Sequence, residues 1–195
     1  MGDYFQIIAD VEATEAEAPA LGASVVGWLA GEGIIEAEPT DCVLSADPGY
    51  PPGPRYIAAV TGPSQWLPRL RTNGLAVITT RSVFHPMQGE VGPVVCPRCG
   101  QMVELEDPAT GQATHQWELF SEALNAWMTG DTCAVACPRC RQVAGFNDWH
   151  WTGHWPFAVG FLGFEFWNWP PLRESFITQV TSRLGHRVVV TQGKL

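Results

Sequence analysis

The sequence predicts an α+β protein in which helices pack on one sheet and a cysteine-rich segment interrupts that fold. Three observations lead to this prediction. The chain has 195 residues, 46% hydrophobic and 16% charged, so it can bury a core of ordinary size. Strand-like and helix-like segments follow one another near both ends of the chain. The tetrapeptide Cys-Pro-Arg-Cys occurs twice, at 96–99 and 137–140, with 37 residues between the copies.

The first half of the chain contains one amphipathic helix among short strand-like segments. The helix has Pro19 in its first turn and ends at Gly31 to Gly33, and one apolar face is formed by Leu21, Val25, Trp28 and Leu29. The other segments expected here are strands at 4–8, 34–38 and 75–84, a short apolar piece at 42–44 and a short helix at 54–60.

The second half contains two more helices and two more strands. Apolar residues at helical spacing predict a helix over 114–129 that is capped by Thr114 and ended by Gly130. The C-terminal third has the order β-α-β: a strand at 161–169, a helix from Pro171 to Gly185, and a strand at 187–191. Residues 4–38 are expected to form a similar unit, and no strand order is predicted.

These segments divide the chain into two parts. Residues 1–92 and 146–195 are expected to form the α+β core domain, and residues 93–145 an inserted module that carries the four paired cysteines and one helix.

Four thiolates in two Cys-X-X-Cys pairs can complete a tetrahedral shell around one Zn²⁺ ion. The metal ligands are therefore predicted to be Cys96, Cys99, Cys137 and Cys140. A redox-active dithiol and an iron–sulfur cluster are the alternatives. Cys133 lies four residues before Cys137 and could displace one of these ligands, although a buried apolar role is the simpler interpretation for Cys133 and for Cys42.

The two cysteine segments resemble the zinc-ribbon family, whose turns carry the motif Cys-Pro-X-Cys-Gly. The resemblance covers about a quarter of the chain and implies one structural zinc ion, because four thiolates leave no open position for a substrate or water. The chain departs from the family pattern at Arg141, where glycine is usual, and in the length of the gap between the pairs.

Residues 149–169 hold five of the nine tryptophans and four of the nine phenylalanines. Most of this segment is expected to be a core strand with its approach loop. Five of its side chains are the candidates for an exposed binding surface: Trp149, Trp151, Trp155, His150 and His154. A second metal site at His150 and His154, with Asp148 nearby, would make the protein an enzyme, and it is the weaker hypothesis.

Acidic residues are concentrated at the start of the chain. Residues 1–54 contain ten acids and no Lys or Arg, whereas residues 55–195 contain ten acids and eleven bases, which together give the net charge of −9. An acidic surface would attract a basic protein partner and repel nucleic acid. No signal peptide and no membrane span is visible, so a cytoplasmic protein is expected.

The function expected from the sequence is that of a non-enzymatic zinc protein that binds another protein, as an adaptor or as an immunity-type inhibitor. The alternative is a nucleic-acid-binding zinc ribbon that uses Arg98, Arg139 and Arg141. Outside the ribbon, the segments DYFQI, TDCVL, FWNWPPL and LGHRVVV resemble uncharacterised bacterial proteins, mainly actinobacterial, and that resemblance implies no activity.

Overall fold

The computed structural model describes residues 2–87, 91–152 and 156–195, and it shows an α+β fold. Three 3₁₀ turns accompany the main elements, at Tyr56–Ala58, Leu67–Arg69 and Phe146–Asp148. The helices and strands, in chain order, are β1 (Tyr4–Asp10), α1 (Ala18–Gly31), β2 (Leu75–Ile78), β3 (Ser82–Phe84), β4 (Val94–Val95), β5 (Met102–Val103), α2 (His115–Met128), β6 (Ala134–Ala136), β7 (Val143–Gly145), β8 (His150–Trp151), β9 (Ala158–Gly160), β10 (Leu162–Trp167), α3 (Glu174–Leu184) and β11 (Val188–Lys194).

The main sheet has four strands in the order β11-β1-β10-β2, and all neighbours are antiparallel. Strands β1 and β2 are therefore parallel, with β10 between them, and β10 and β11 are parallel, with β1 between them. Helix α1 joins the first pair and α3 joins the second. This arrangement is two interleaved split β-α-β units, which is the strand order of the ferredoxin-like topology.

The two faces of the main sheet bury different clusters because side chains alternate along each strand. One face packs against α1 and α3 through Ile8, Leu75, Leu162, Phe164 and Phe166. The opposite face carries Phe5, Ile7, Ala9, Ala76 and Trp167, and Cys42, Val43 and Phe84 cover it. The ring of Phe84 lies directly against Gly163, where any side chain would collide with it.

The three long predicted helices are present, with corrections at the N-termini of two of them, whereas the short helix expected at 54–60 is a single 3₁₀ turn at Tyr56–Ala58. Pro171 does not begin α3, because Arg173 occupies the N-cap position and the helix starts at Glu174. Thr114 occupies the N-cap position of α2, but its hydroxyl donates to the carbonyls of Glu104 and Leu105 and makes no cap hydrogen bond. None of the helices in the described ranges has the length and apolarity that a bilayer span requires.

Two strand predictions are wrong. Ile35 makes a single bridge to Pro52 instead of a strand over 34–38, and proline has no N–H with which to extend the pairing. The expected strand over 75–84 is divided: β2 pairs with β10 in the main sheet, whereas β3 pairs with β9 in a separate sheet. The second strand of the N-terminal β-α-β unit is therefore β2.

A second buried cluster lies around α2 and the cysteine hairpins, and includes Val94, Val103, Phe120, Val135 and Phe146. It also takes in residues outside 93–145, among them Trp149 and Val159. The proposed limits of the inserted module remain a prediction.

Polar contacts connect this second cluster to the β3–β9 sheet and to Arg81, which precedes β3. Trp127 at the end of α2 donates from Nε1 to the carbonyl of Ser82 at 2.9 Å. The guanidinium of Arg81 lies 4.0 Å from the ring centre of Trp127 and donates to the carbonyls of Trp127 and Asp131. The side chain of Asn147 pairs with both backbone groups of Val159, at 2.7 and 2.9 Å, as a strand neighbour would.

A largely buried carboxyl group, that of Glu165, lies on the sheet face opposite the helices, beside Ile7 and Ala76. Burial raises the pKa of Glu165 to about 7 from its usual 4.5, although the nearby indole of Trp167 acts in the opposite direction. The folded protein therefore holds this proton over a pH range in which the unfolded chain has released it.

We expect Glu165→Gln to stabilise the protein at pH 8 and to change little at pH 4. Because the pKa is raised in the folded state, wild-type stability is lost as pH rises from 4.5 through about 7. The gain at pH 8 should be on the order of 2–3 kcal/mol. Urea unfolding of both proteins at the two pH values measures it, and an equal effect at both values would contradict the assignment.

Candidate metal centre

The two cysteine turns are built in the same way. In the first, Cys96 N–H donates to Gln101 O at 3.0 Å, and Gly100 N–H donates to Cys96 O at 3.0 Å. In the second, Cys137 N–H donates to Gln142 O and Arg141 N–H donates to Cys137 O, both at 2.9 Å. Each turn forms the tip of a β-hairpin: the first turn joins β4 to β5, and the second joins β6 to β7.

Backbone N–H groups point at sulfur in both turns. Arg98 N–H donates to Cys96 Sγ at 3.3 Å, and Arg139 N–H donates to Cys137 Sγ at 3.4 Å. Such hydrogen bonds stabilise thiolates and orient them toward a metal ion.

The four predicted cysteines converge on one point, with their sulfur atoms all within 4.8 Å of one another. Cys96 Sγ lies 4.0 Å from Cys140 Sγ, and Cys99 Sγ lies 3.9 Å from Cys137 Sγ. A tetrahedral Zn–S₄ site with bonds of about 2.3 Å requires S···S separations of about 3.8 Å. The donor set and its spacing therefore fit one metal ion shared by four thiolates.

The thiols of the first turn have pKa values shifted in opposite directions. Burial acts to raise the pKa of Cys96, but hydrogen bonds from backbone N–H groups and neighbouring thiols outweigh it and lower the value to about 7. For Cys99, a backbone hydrogen bond at Gln101 acts to lower the pKa, and burial with the neighbouring thiols raises it to about 11. Deprotonation of Cys99 near neutral pH would require a cation beside it.

The remaining cysteines lie away from the centre. Cys133 donates from Sγ to the carbonyl of Ala123 at 3.3 Å, and burial raises its pKa to about 12. It does not belong to the group of four converging sulfurs. Cys42 is buried on the sheet face opposite the helices, in contact with Gly74.

The residue after each second cysteine adopts a left-handed conformation, with φ of +68° at Gly100 and +65° at Arg141. This conformation costs nothing for glycine and about 1–2 kcal/mol for a residue with a Cβ atom. We expect Arg141→Gly to stabilise the metal-loaded protein by about 0.5–1 kcal/mol, measured as the shift of the denaturant midpoint.

The matched control is Arg139→Gly in the same turn. It removes the same charge from an exposed position that is not among the left-handed residues. Glycine should destabilise the protein there by about 0.5–1 kcal/mol, because it only adds freedom to the unfolded chain. Shifts of the same sign in the two variants would refute the argument from backbone strain.

The aromatic candidates for a binding surface belong mainly to the second buried cluster. Trp149 is 3% exposed and packs edge-to-face on Phe120 at 4.9 Å, so its place among exposed side chains is a correction to the sequence prediction. Trp151 is partly buried against Phe146 and Phe157. These two large rings are therefore part of the buried core and not of an exposed surface. Trp155 lies outside the described residues.

The second metal hypothesis gains no support from the described residues. His150 is exposed on β8, and Asp148 accepts a hydrogen bond from Arg187 Nη2 at 3.3 Å. Within 2–87, 91–152 and 156–195, the four cysteines are the one group of three or more His, Cys, Asp or Glu placed to share an ion. His154 lies outside these ranges.

The acidic residues of 1–54 do not form one uninterrupted surface. Asp10 is fully buried, where it accepts from the N–H groups of Glu12 and Ala13 and pairs with His186. Others pair with basic side chains: Glu32 with Arg55, Asp41 with Arg71, and Glu12 with Arg187.

Comparison with protein-family models, with curated proteins and with solved structures found no match to this chain. The resemblance to the zinc-ribbon family therefore rests on the two cysteine turns and the convergence of their sulfur atoms. The resemblance of the other segments to actinobacterial proteins stays a prediction.

Sequence reasoning missed the residues that connect the second buried cluster to β3 and β9. Arg81 and Asn147 act through backbone carbonyls that are distant in the chain, at separations of 46 and 12 residues for Trp127 and Val159. An arginine inside the strand expected over 75–84 gave no local signal of such a role.

Proposed function

We propose that the four cysteines hold one structural zinc ion and that the protein is a non-enzymatic module that binds another protein. The observation that carries the zinc assignment is that two turns of the same structure bring their sulfur atoms together. Cys99 Sγ lies 3.9 Å from Cys137 Sγ, and Cys96 Sγ lies 4.0 Å from Cys140 Sγ. Zn²⁺ prefers four thiolates in closed tetrahedral sites, whereas an iron–sulfur cluster places thiolates on different iron atoms and separates them further.

The ion would act as a link between two short hairpins. Strands β4 and β5 have two residues each and β6 and β7 have three, so neither hairpin has enough pairing to be stable alone. With the ion in place, Val94, Val103, Val135 and Ala144 hold fixed positions against Phe120 of α2.

A closed Cys₄ site leaves the ion no position for substrate, which favours binding over catalysis. From the acidic residues of 1–54, we first expected the partner to be a basic protein. Pairing of Glu12, Glu32 and Asp41 with arginines reduces the charge available for that purpose. A partner is therefore better sought through exposed apolar side chains.

Elemental analysis of the purified protein, with Cys96→Ser and His154→Ala, tests the zinc assignment. We expect one zinc per chain in the wild type and in His154→Ala, and a loss in Cys96→Ser. Two metal ions per chain, one of them lost in His154→Ala, would overturn the proposal in favour of a metal-dependent enzyme.

Nucleic-acid binding is the second candidate, and the arginines of the two turns favour it. Arg98 and Arg139 occupy equivalent exposed positions, with Arg141 beside them. None of the three forms an ion pair within the described parts of the chain. They also offset the net negative charge of one Zn²⁺ and four thiolates, so their presence has an explanation that involves no nucleic acid.

Titration of a labelled oligothymidylate at several salt concentrations decides between these roles. A nucleic-acid site predicts binding that weakens steeply with salt, with a slope that falls by about one when Arg98 is replaced by alanine. Absence of binding at about 20 mM salt would reject this candidate, since counterion release is then at its most favourable.

A further inference from the structure

Three cavities follow one another along one end of the main sheet, separated by two aromatic rings. The first, of about 410 Å³, lies between Tyr4 and Lys194. The second, of about 560 Å³, lies between Tyr4 and Trp66, and the third, of about 550 Å³, between Trp66 and Tyr56. Because neighbouring cavities share a lining ring, we treat the three together and call them the Tyr4–Trp66 groove.

The walls of this groove expose large apolar side chains that the core does not use. Trp66 is 60% exposed, Tyr4 56% and Leu70 41%. These residues come from β1 and from the loop around the Leu67–Arg69 turn. Exposed apolar groups gathered around cavities mark a binding surface, whereas single ones are ordinary.

Two basic side chains lie over the aromatic rings of the groove. Lys194 Nζ is 5.3 Å from the ring centre of Tyr4, and Arg69 Cζ is 5.8 Å from that of Trp66. Neither forms an ion pair with a carboxylate of the described residues, unlike Arg55, Arg71 and Arg187.

Basic side chains lie at the groove although the chain is acidic overall, with a net charge of −9. Among the described residues that line the cavities, Lys194 is the base and Asp3 the carboxylate, and Asp3 accepts a hydrogen bond from Asn168 Nδ2 at 2.7 Å. Arg69, over the ring of Trp66, adds a second positive charge beside the groove. A ligand for this surface would carry negative charge next to apolar groups.

The shape of the groove favours an extended chain over a compact small molecule. Successive cavities divided by rings can each take one side chain of a strand, in which side chains recur at about 3.3 Å per residue on alternate faces. The first cavity is also lined by Gln192 and Gly193 of β11, the edge strand of the sheet.

We propose that the Tyr4–Trp66 groove binds an extended segment of a partner protein that carries apolar side chains next to Asp or Glu. This inference rests on the proposed role as a protein-binding module and assigns the class of segment that the module binds. Apolar side chains of the segment enter the cavities, and its carboxylates pair with Lys194 and Arg69.

Selection of a random peptide library, displayed on phage, against the zinc-loaded wild-type protein tests this inference. We expect enriched peptides to combine aromatic or aliphatic residues with Asp or Glu. Binding of the synthesised peptides, measured by fluorescence anisotropy, should weaken about tenfold or more in Trp66→Ala. The double variant Lys194→Glu, Arg69→Glu should weaken it by about tenfold, and salt should weaken it in the wild type.

Val143→Ala is the matched control, because Val143 is 59% exposed on β7, in the cysteine hairpins. It should bind the peptides within about twofold of the wild type. Enrichment of no peptides, enrichment of basic peptides, or equal binding by Trp66→Ala would overturn the inference. Metal content is measured on the same samples, so failure of the groove and failure of the zinc assignment are separate results.

Discussion

Removal of the metal ion is expected to unfold the cysteine hairpins. Cys137→Ser should reduce bound zinc from one ion per chain to near zero, because the buried Cys137 sulfur is one of four that converge. Structural zinc contributes about 10–16 kcal/mol to the folding of isolated zinc modules. In this chain the midpoint of thermal unfolding should fall by about 10 °C or more.

Hydrogen exchange read by mass spectrometry locates the effect. Amides of β4–β5 and β6–β7 should exchange faster in Cys137→Ser, and those of β1 and β10 should change less. The control is Cys133→Ser, since a serine hydroxyl can donate to the Ala123 carbonyl as the thiol does. Zinc retained by Cys137→Ser, or lost equally from both variants, would show that the ligand set is wrong.

Phe120→Ala is expected to have the second largest effect. Phe120 is fully buried in α2 and makes edge-to-face contacts with Phe146, Trp149 and Trp151 at centroid distances of 5.8, 4.9 and 5.9 Å. Truncation of a buried phenylalanine costs about 3–5 kcal/mol because it leaves a cavity. Denaturant unfolding measures the loss, and near-ultraviolet circular dichroism reports the freed tryptophan rings.

Met128→Ala on the same helix is the control for Phe120→Ala. Met128 is 55% exposed, so its truncation should change stability by less than about 0.5 kcal/mol. Similar losses in the two variants would mean that α2 does not pack on the hairpins through Phe120.

Local sequence signals predicted the three long helices and the convergence of the four cysteines well. Helix α1 begins one residue before Pro19 and ends at Gly31, where the sequence indicated. Gly185 ends α3 with a φ of +72°. The convergence of the four cysteines follows from spacing rules that depend only on sulfur geometry and the size of the ion.

Long-range arrangement could not be predicted in the same way. The split order of the sheet depends on which distant strands pair, and no local pattern states that β1 lies between β10 and β11. At the point where 75–84 divides, Arg81 donates to the carbonyls of Trp127 and Asp131, which are 46 and 50 residues away in the chain. Burial of Trp149 required knowledge of where Phe120 would lie.

The groove also could not be predicted from the sequence, because Tyr4 and Trp66 are far apart in the chain and line the same cavity only in the folded protein. Their exposure distinguishes them from the other aromatic residues, and exposure is a property of the packed molecule. Trp169, which also lines the groove, is 95% buried in the core.

The position of β1 has a consequence for the order of folding. This strand precedes the other strands of the sheet, yet both of its neighbours, β10 and β11, lie within residues 162–195. During synthesis the apolar segment YFQIIA stays unpaired while the cysteine hairpins, whose contacts are closer in sequence, can already form. The acidic residues that follow it, Glu12, Glu15 and Glu17, are charges of the kind that keep an unpaired apolar strand from pairing with other chains. Three of the ten acids in residues 1–54 are therefore suited to a role that requires no basic partner.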